Sequence, residues 1–122
     1  MDESIERYFR LMPVGRHMRP TRERLWCPAA DVFETRGGWI VKLELAGVSP
    51  DEIEIVIDGK TLRVAGTRRD AFCRESIAYH QLEITYSRFE KTLQFPASIE
   101  GVSVKKSYRD GLLVLYLLRG DE

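Results

Sequence analysis

Few side chains in this 122-residue chain are of the types that carry out acid–base, nucleophilic or metal chemistry. Cys27 and Cys73 form no CxxC pair and have no pair of histidines nearby, so we expect free thiols and no zinc site. His80 shares its parity with apolar residues, which is typical of a histidine held in a core or interface, and His17 lies in a basic linker. The sequence therefore predicts no triad, no metal and no cofactor.

The adjacent acids Asp51 and Glu52 have a structural explanation. They follow Ser49-Pro50, and this order is typical of a helical turn with serine at the N-cap, proline next and acids in the first turn. No glycine-rich loop that could cradle a phosphate is present. These patterns argue against an enzyme.

Charge and length exclude several other classes of protein. The chain carries 19 basic and 19 acidic residues, and this neutrality argues against a nucleic-acid binder that depends on phosphate contacts. The longest apolar run, residues 112–118, is too short to cross a bilayer core of about 30 Å. Residues 1–4 lack the features of a signal peptide, so we expect one cytoplasmic domain, with neither nucleic acid nor membrane as a partner.

Residues 39–66 form the central pattern of the chain. Apolar and polar side chains alternate in residues 39–45 and again in residues 53–57, the period of strands with one buried face. Asp58-Gly59 is a strong hairpin signal that turns the second strand back onto residues 61–65.

Further short runs indicate the fold class. Strands are predicted at residues 31–35, 89–95 and 102–108, and residues 112–118 are apolar on both faces, so we expect that strand to be covered on both sides. The count of strands and turns predicts an all-β fold, an immunoglobulin-like antiparallel β-sandwich of about seven to nine strands.

Residues 1–26 differ from the rest and are predicted to be an N-terminal arm. An apolar stripe predicts a short amphipathic helix over residues 2–12, and Pro13 would end it. Such a helix is too short to be stable alone, so its stripe either packs on this domain or a neighbouring subunit, or is transiently exposed to other chains. A basic linker follows at residues 14–24. The stripe consists of Ile5, Tyr8, Phe9 and Met12.

Several motifs lie in a fixed order over residues 28–118. They are Trp26-Cys27-Pro28, Asp31-Val32-Phe33-Glu34-Thr35, Glu44-Leu45-Ala46-Gly47-Val48-Ser49-Pro50-Asp51-Glu52-Ile53, Leu62-Arg63-Val64-Ala65-Gly66, Tyr79-His80, Phe89, Phe95-Pro96 and Asp110-Gly111-Leu112-Leu113. Together they resemble the alpha-crystallin domain of small heat-shock proteins of the bacterial type. The resemblance implies an ATP-independent holdase that binds partly unfolded proteins, with the stripe of the arm as a client-binding surface.

The resemblance also implies a homodimer, with higher oligomers as an option. In bacterial and plant members, the loop after residue 66 carries a strand that pairs with the first strand of a partner subunit, and residues 78–86 are the counterpart here. Lys91 stands where the family usually has an arginine, and it loses the planar fork that binds carboxylates. The predicted dimer interface consists of Ala78, His80, Leu82, Ile84, Tyr86 and Lys91.

A groove is implied between the strands at residues 53–57 and 102–108. In the family it accepts an Ile-x-Ile tail, and here Lys106 replaces an alanine while the sequence ends at Glu122 without that motif. The lysine either narrows the groove or snorkels out of it, and an unplugged groove would be free for clients. The predicted groove residues are Ile53, Ile55, Ile57, Val102, Val104 and Lys106.

The predicted organisation is an arm at residues 1–26, an alpha-crystallin domain at 27–119 and a vestigial tail at 120–122. An alternative function remains, because related sandwiches serve as co-chaperone adaptors that dock on one folded partner. Stoichiometry separates the two functions, since an adaptor binds at a defined ratio and a holdase acts substoichiometrically on many clients.

Overall fold

The structure is a computed structural model that describes residues 25–70 and 76–120. A single 3-10 turn, Pro50–Glu52, has Ser49 at its N-cap and Pro50 at its start, which confirms the helical turn expected there. The seven strands in these ranges are β1 Ala30–Thr35, β2 Gly38–Glu44, β3 Ile53–Asp58, β4 Thr61–Thr67, β5 Arg88–Gln94, β6 Ser103–Arg109 and β7 Leu112–Leu118.

The strands form two antiparallel sheets, which confirms the predicted all-β sandwich. One sheet has four strands in the order β1-β2-β7-β6, and the other has three in the order β3-β4-β5. Strands that follow each other along the chain pair as hairpins at β1-β2, β3-β4 and β6-β7. The pairing of β2 with β7 brings distant parts of the chain into one sheet.

Two hairpin turns depend on backbone conformations that ordinary residues rarely adopt. Between β6 and β7, Asp110 has φ 54° and Gly111 has φ 79°, the pattern of a two-residue turn in which both central residues have positive φ. Between β3 and β4, Gly59 has φ 63°. The predicted hairpin at Asp58-Gly59 is therefore confirmed, with Asp58 still paired to Thr61 at the end of the strands.

The inner faces of the two sheets form one apolar core. Trp39 of β2 meets Phe95 at a ring-centroid distance of 5.0 Å in an edge-to-face arrangement, so the sheets are joined by aromatic as well as aliphatic contacts. Burying these side chains is the main favourable contribution to folding. The core consists of Val41, Leu43, Leu45, Val48, Leu62, Val64, Phe89, Phe95, Ile99, Leu113, Leu115 and Leu117.

The expectation that β7 is covered on both faces is wrong for the described residues. Leu113, Leu115 and Leu117 are buried, whereas Leu112 and Tyr116 are each 37% exposed. A sheet in a two-layer sandwich has a second layer on one side only. The outer face of the four-stranded sheet therefore keeps an apolar surface open.

The predicted arm helix at residues 2–12 and its stripe, Ile5, Tyr8, Phe9 and Met12, lie outside the described residues. Nowhere in residues 25–70 and 76–120 is there a helix with the length and apolar character that a membrane span needs.

Candidate functional site

Strands β3 and β6 are edge strands that run side by side at one side of the sandwich. The N–H of Ile99 donates to Gly59 O at 2.8 Å, so the connection leading to β6 passes the turn that follows β3. At the opposite end, the hydroxyl of Tyr108 donates to Leu45 O at 2.7 Å, and Leu45 precedes the turn that leads into β3. Strand β6 therefore begins where β3 ends and runs antiparallel to it.

The predicted groove residues belong to these two edge strands, except Val102, which immediately precedes β6. Ile53, Ile55 and Ile57 are half-buried and pack against the core from β3. On the other side, Val102 is also half-buried against the core, while Val104 is 39% exposed. These apolar side chains thus lie on the core-facing side of two strands at sheet edges, and the groove between them stays a prediction.

Lys106 shares the inner face of β6 but reaches solvent. It pairs with Leu115 in the ladder, and Val104 pairs with Leu117, so both β6 side chains start from the core side of the sheet. Lys106 is nevertheless exposed. A long aliphatic stem allows the ammonium group to stay hydrated while the methylene groups lie along apolar neighbours.

The outer edge of β1 is a second open surface. Strand β1 pairs with β2 along one edge, and the described residues provide no partner for the other. Every residue of β1 after Ala30 is exposed, including Val32 and Phe33, the latter at 43%. An edge strand with exposed apolar side chains is a template for pairing with another chain.

The described part of the loop before β5, residues 76–87, contains no strand. Among the predicted interface residues there, Ala78 and His80 are exposed and Leu82 is half-buried. Ile84 is 65% exposed, a large fraction for an isoleucine. Because residues 76–87 form no strand here, the predicted pairing with a partner subunit stays a prediction.

Lys91 lies where the parity of β5 predicts. It pairs with Val64, which places it on the inner face with Phe89 and Leu93. Its Nζ lies 4.0 Å from Sγ of Cys27, a free and exposed thiol. The ammonium group therefore sits at the rim of the sandwich, beside the segment that enters β1.

Arg68 is the residue at the centre of a cluster that our sequence interpretation did not single out. Its Nε donates to Thr85 O at 2.9 Å and its Nη1 donates to Ala46 O at 3.1 Å. The guanidinium carbon lies 3.7 Å from the ring centroid of Trp26 and 5.9 Å from that of Tyr86. No local pattern marks this role, because the two hydrogen-bond acceptors are 17 and 22 residues away in sequence.

Burial lowers the pKa of Arg68 below its ordinary value, because desolvation penalises the charged form. The phenolic groups of Tyr86 and Tyr108 oppose this lowering. The cation is thus partly removed from water and compensated by an aromatic face and carbonyl oxygens, and this partial desolvation strengthens a cation–π contact.

Residues 31–121 match the Hsp20/alpha crystallin family. The chain is 30% identical to spore protein SP21 of Stigmatella aurantiaca over 95 residues, which cover 78% of this chain and 56% of that protein. It is 28% identical to small heat shock protein C2 of Rickettsia felis over 91 residues, which cover 75% of this chain and 59% of the relative. The chain thus matches little more than half the length of these two relatives.

Solved structures share the fold at lower identity. Heat shock protein 16.0 from Schizosaccharomyces pombe superposes with a TM-score of 0.68 at 24% identity, covering 77% of this chain and 87% of that one. A small heat-shock protein from Xylella fastidiosa gives 0.65 at 20% identity, covering 81% and 91%. Since the family match runs from within β1 to beyond the end of β7, the chain belongs to the Hsp20/alpha-crystallin family of small heat-shock proteins.

Proposed function

We propose that this chain is an ATP-independent holdase, which binds partly unfolded proteins and prevents their aggregation. The observation that carries the proposal is apolar surface left open on strand edges and on one sheet face. Covering such surface on a client gains about 25 cal/mol per Å², so several shallow patches together compete with the client's self-association. The exposed apolar side chains of the strands are Val32, Phe33, Val56, Val104, Leu112 and Tyr116.

Two surfaces are proposed to contact clients. One is the stripe of the arm, Ile5, Tyr8, Phe9 and Met12, whose spacing places four apolar side chains on one helix face. The other is the groove between β3 and β6, where extended segments of a client would add to an unpaired strand edge and insert alternate side chains between the two strands.

We further propose that the functional unit is at least a homodimer. Within the described residues, no strand lies on the outer edge of β1, and residues 76–87 form no strand of their own. Pairing each loop with the β1 edge of the other subunit would cover Val32 and Phe33, and would give Ile84 an apolar environment. Lys91 lies at the same side of the sandwich as Cys27 and the entry to β1.

The decisive test of the holdase is light scattering from a heat-denaturing client, with and without this protein and without nucleotide. We expect suppression by the full chain, and weaker suppression after Ile5, Tyr8, Phe9 and Met12 are replaced by serine. A matched control replaces polar residues of the same segment, Asp2, Glu3 and Arg7, by serine and should keep full activity.

The adaptor alternative predicts a different result in the same assay. No suppression at several-fold molar excess of the protein would contradict the holdase proposal. Binding of one folded protein at a fixed ratio, measured by calorimetry, would then support the adaptor.

A further inference from the structure

Arg68 joins three parts of the chain that are separate in sequence. Its side chain contacts Trp26, which precedes β1, and Thr85, near the end of the loop before β5. The same guanidinium donates to Ala46 O in the turn between β2 and β3. This turn also packs on the stem of Arg68, since a Cβ built on Gly47 would lie 3.3 Å from the Cδ of Arg68.

The end of the loop is held at Arg68 by main chain as well as side chain. The N–H of Arg68 donates to Ser87 O at 2.9 Å, and the side-chain Nε binds Thr85 O two residues earlier. The ring of Tyr86 lies between these two contacts in sequence and also faces the guanidinium. Residues 85–87 are therefore fixed relative to the end of β4 by one residue.

The other side of the guanidinium is occupied by the segment that enters β1. Trp26 is held by its own N–H, which donates to Arg88 O at 2.9 Å, and by an edge-to-face contact with Phe89 at 5.7 Å. The guanidinium carbon of Arg68 lies over the π-face of the indole, 3.7 Å from the ring centroid. The planar guanidinium thus stacks on Trp26 while it donates one hydrogen bond to Thr85 O in the loop, a combination that a lysine cannot reproduce.

We propose that Arg68 is a positioning residue that couples the chain entering β1 at Trp26 to the loop at residues 76–87. Displacing Trp26 removes the aromatic contact of the guanidinium. The hydrogen bond from Arg68 to Thr85 O then breaks more often, and residues 76–87 separate more often from β4. By linkage, ordering the loop against a partner stabilises the position of Trp26 by the same factor. The functional consequence rests on the proposed role of this loop in pairing with a second subunit, which would make dimerisation sensitive to events in residues 1–24.

The test measures amide hydrogen exchange by mass spectrometry in peptides that cover residues 68–87, which include the N–H of Arg68 that donates to Ser87 O. Trp26→Leu keeps an apolar contact with Phe89 but removes the π-face on which Arg68 stacks. We expect the loop amides to exchange about five- to tenfold faster in this variant. A change of this size corresponds to the loss of a partly desolvated cation–π contact. Arg68→Lys keeps the charge but loses both the stacking on Trp26 and the hydrogen bond from Nε to Thr85 O, so exchange should accelerate at least as much. The double variant should exchange little faster than Arg68→Lys alone, because Trp26 acts on the loop only through its contact with Arg68.

Two controls separate coupling from general destabilisation. Arg69→Ala removes the neighbouring arginine, which is exposed and paired with Glu52 at 3.3 Å, and should leave loop exchange unchanged. Exchange in β7 should also stay unchanged in all variants, because that strand reports on the core. Unchanged loop exchange in Trp26→Leu, or independent effects that multiply in the double variant, would overturn the coupling.

The same variants distinguish this inference from the proposed dimer. Sedimentation velocity at a series of concentrations gives the dimer dissociation constant, which we expect to rise together with loop exchange. Faster loop exchange with an unchanged dissociation constant would support the coupling by Arg68 and contradict the role of the loop in dimerisation.

Discussion

At Gly66 in β4 the main chain approaches its neighbours closely. A Cβ on this residue would collide with the carbonyl oxygen of Glu52 and lie 2.8 Å from Cζ of Phe89. Neither contact can yield easily, because one partner is backbone and the other is a fully buried ring. We expect Gly66→Ala to lower the free energy of unfolding by about 1–3 kcal/mol, measured by urea denaturation.

The matched control is Gly37 in the turn between β1 and β2. A Cβ there meets nothing within 4 Å, and its φ is not positive. Gly37→Ala should therefore change the free energy of unfolding by no more than about 0.5 kcal/mol. Equal losses in the two variants would show that the cost arises from removing glycine in general and not from the packing around Gly66.

Among the elements, the β6-β7 hairpin depends on an unusual turn residue. Asp110 has φ 54° without being glycine, a conformation that aspartate tolerates and β-branched residues do not. Asp110→Val should lower the free energy of unfolding by about 1–2 kcal/mol, whereas Asp110→Asn should be nearly neutral. Thermal unfolding followed by circular dichroism gives both values, and a neutral valine variant would contradict the assigned turn.

The strands could be predicted because the signal for each one is local. Alternation within residues 39–45 and 53–57 identifies their inner faces, and Asp58-Gly59 and Asp110-Gly111 give the turns, so β2, β3 and β7 are predicted within one or two residues of their observed bounds. The inner-face position of Lys91 follows from the same parity.

What the sequence could not reveal depends on contacts between distant residues. The run at 112–118 is apolar on both faces, but only the arrangement of layers decides that Leu112 and Tyr116 are exposed. The sequence does not distinguish Arg68 from the other arginines, because its contacts with Trp26 and Thr85 form only in the folded chain. The segment at 78–86 alternates like a strand but forms none among the described residues, because a strand also needs a neighbour to pair with.

For the molecule as a whole, stability should come from the core between the sheets and not from surface ion pairs. Arg119 and Glu34 are 2.7 Å apart, but both side chains are about half exposed, so Glu34→Gln should cost less than about 1 kcal/mol. Leu115→Ala removes a fully buried side chain and should cost about 2–5 kcal/mol. Urea denaturation measures the loss in free energy of unfolding for both variants. Equal losses would contradict the conclusion that the core contributes more to stability than surface ion pairs do.

Assembly of subunits depends on the surfaces that stay exposed on the single folded chain. Because Arg68 N lies 2.9 Å from Ser87 O, residues 70–84 can be replaced by a short glycine–serine turn without separating β4 from β5. If the loop pairs with the β1 edge of a second subunit, this variant should be monomeric at low micromolar concentration, where we expect the full chain to be dimeric. Ile84→Ser should weaken the dimer while leaving monomer stability unchanged, since this side chain is 65% exposed in the single chain. Sedimentation equilibrium measures the dissociation constant of both variants. A shortened-loop variant that stays dimeric would show that the subunits are joined through another surface. The apolar outer face of the four-stranded sheet would then be the next surface to test.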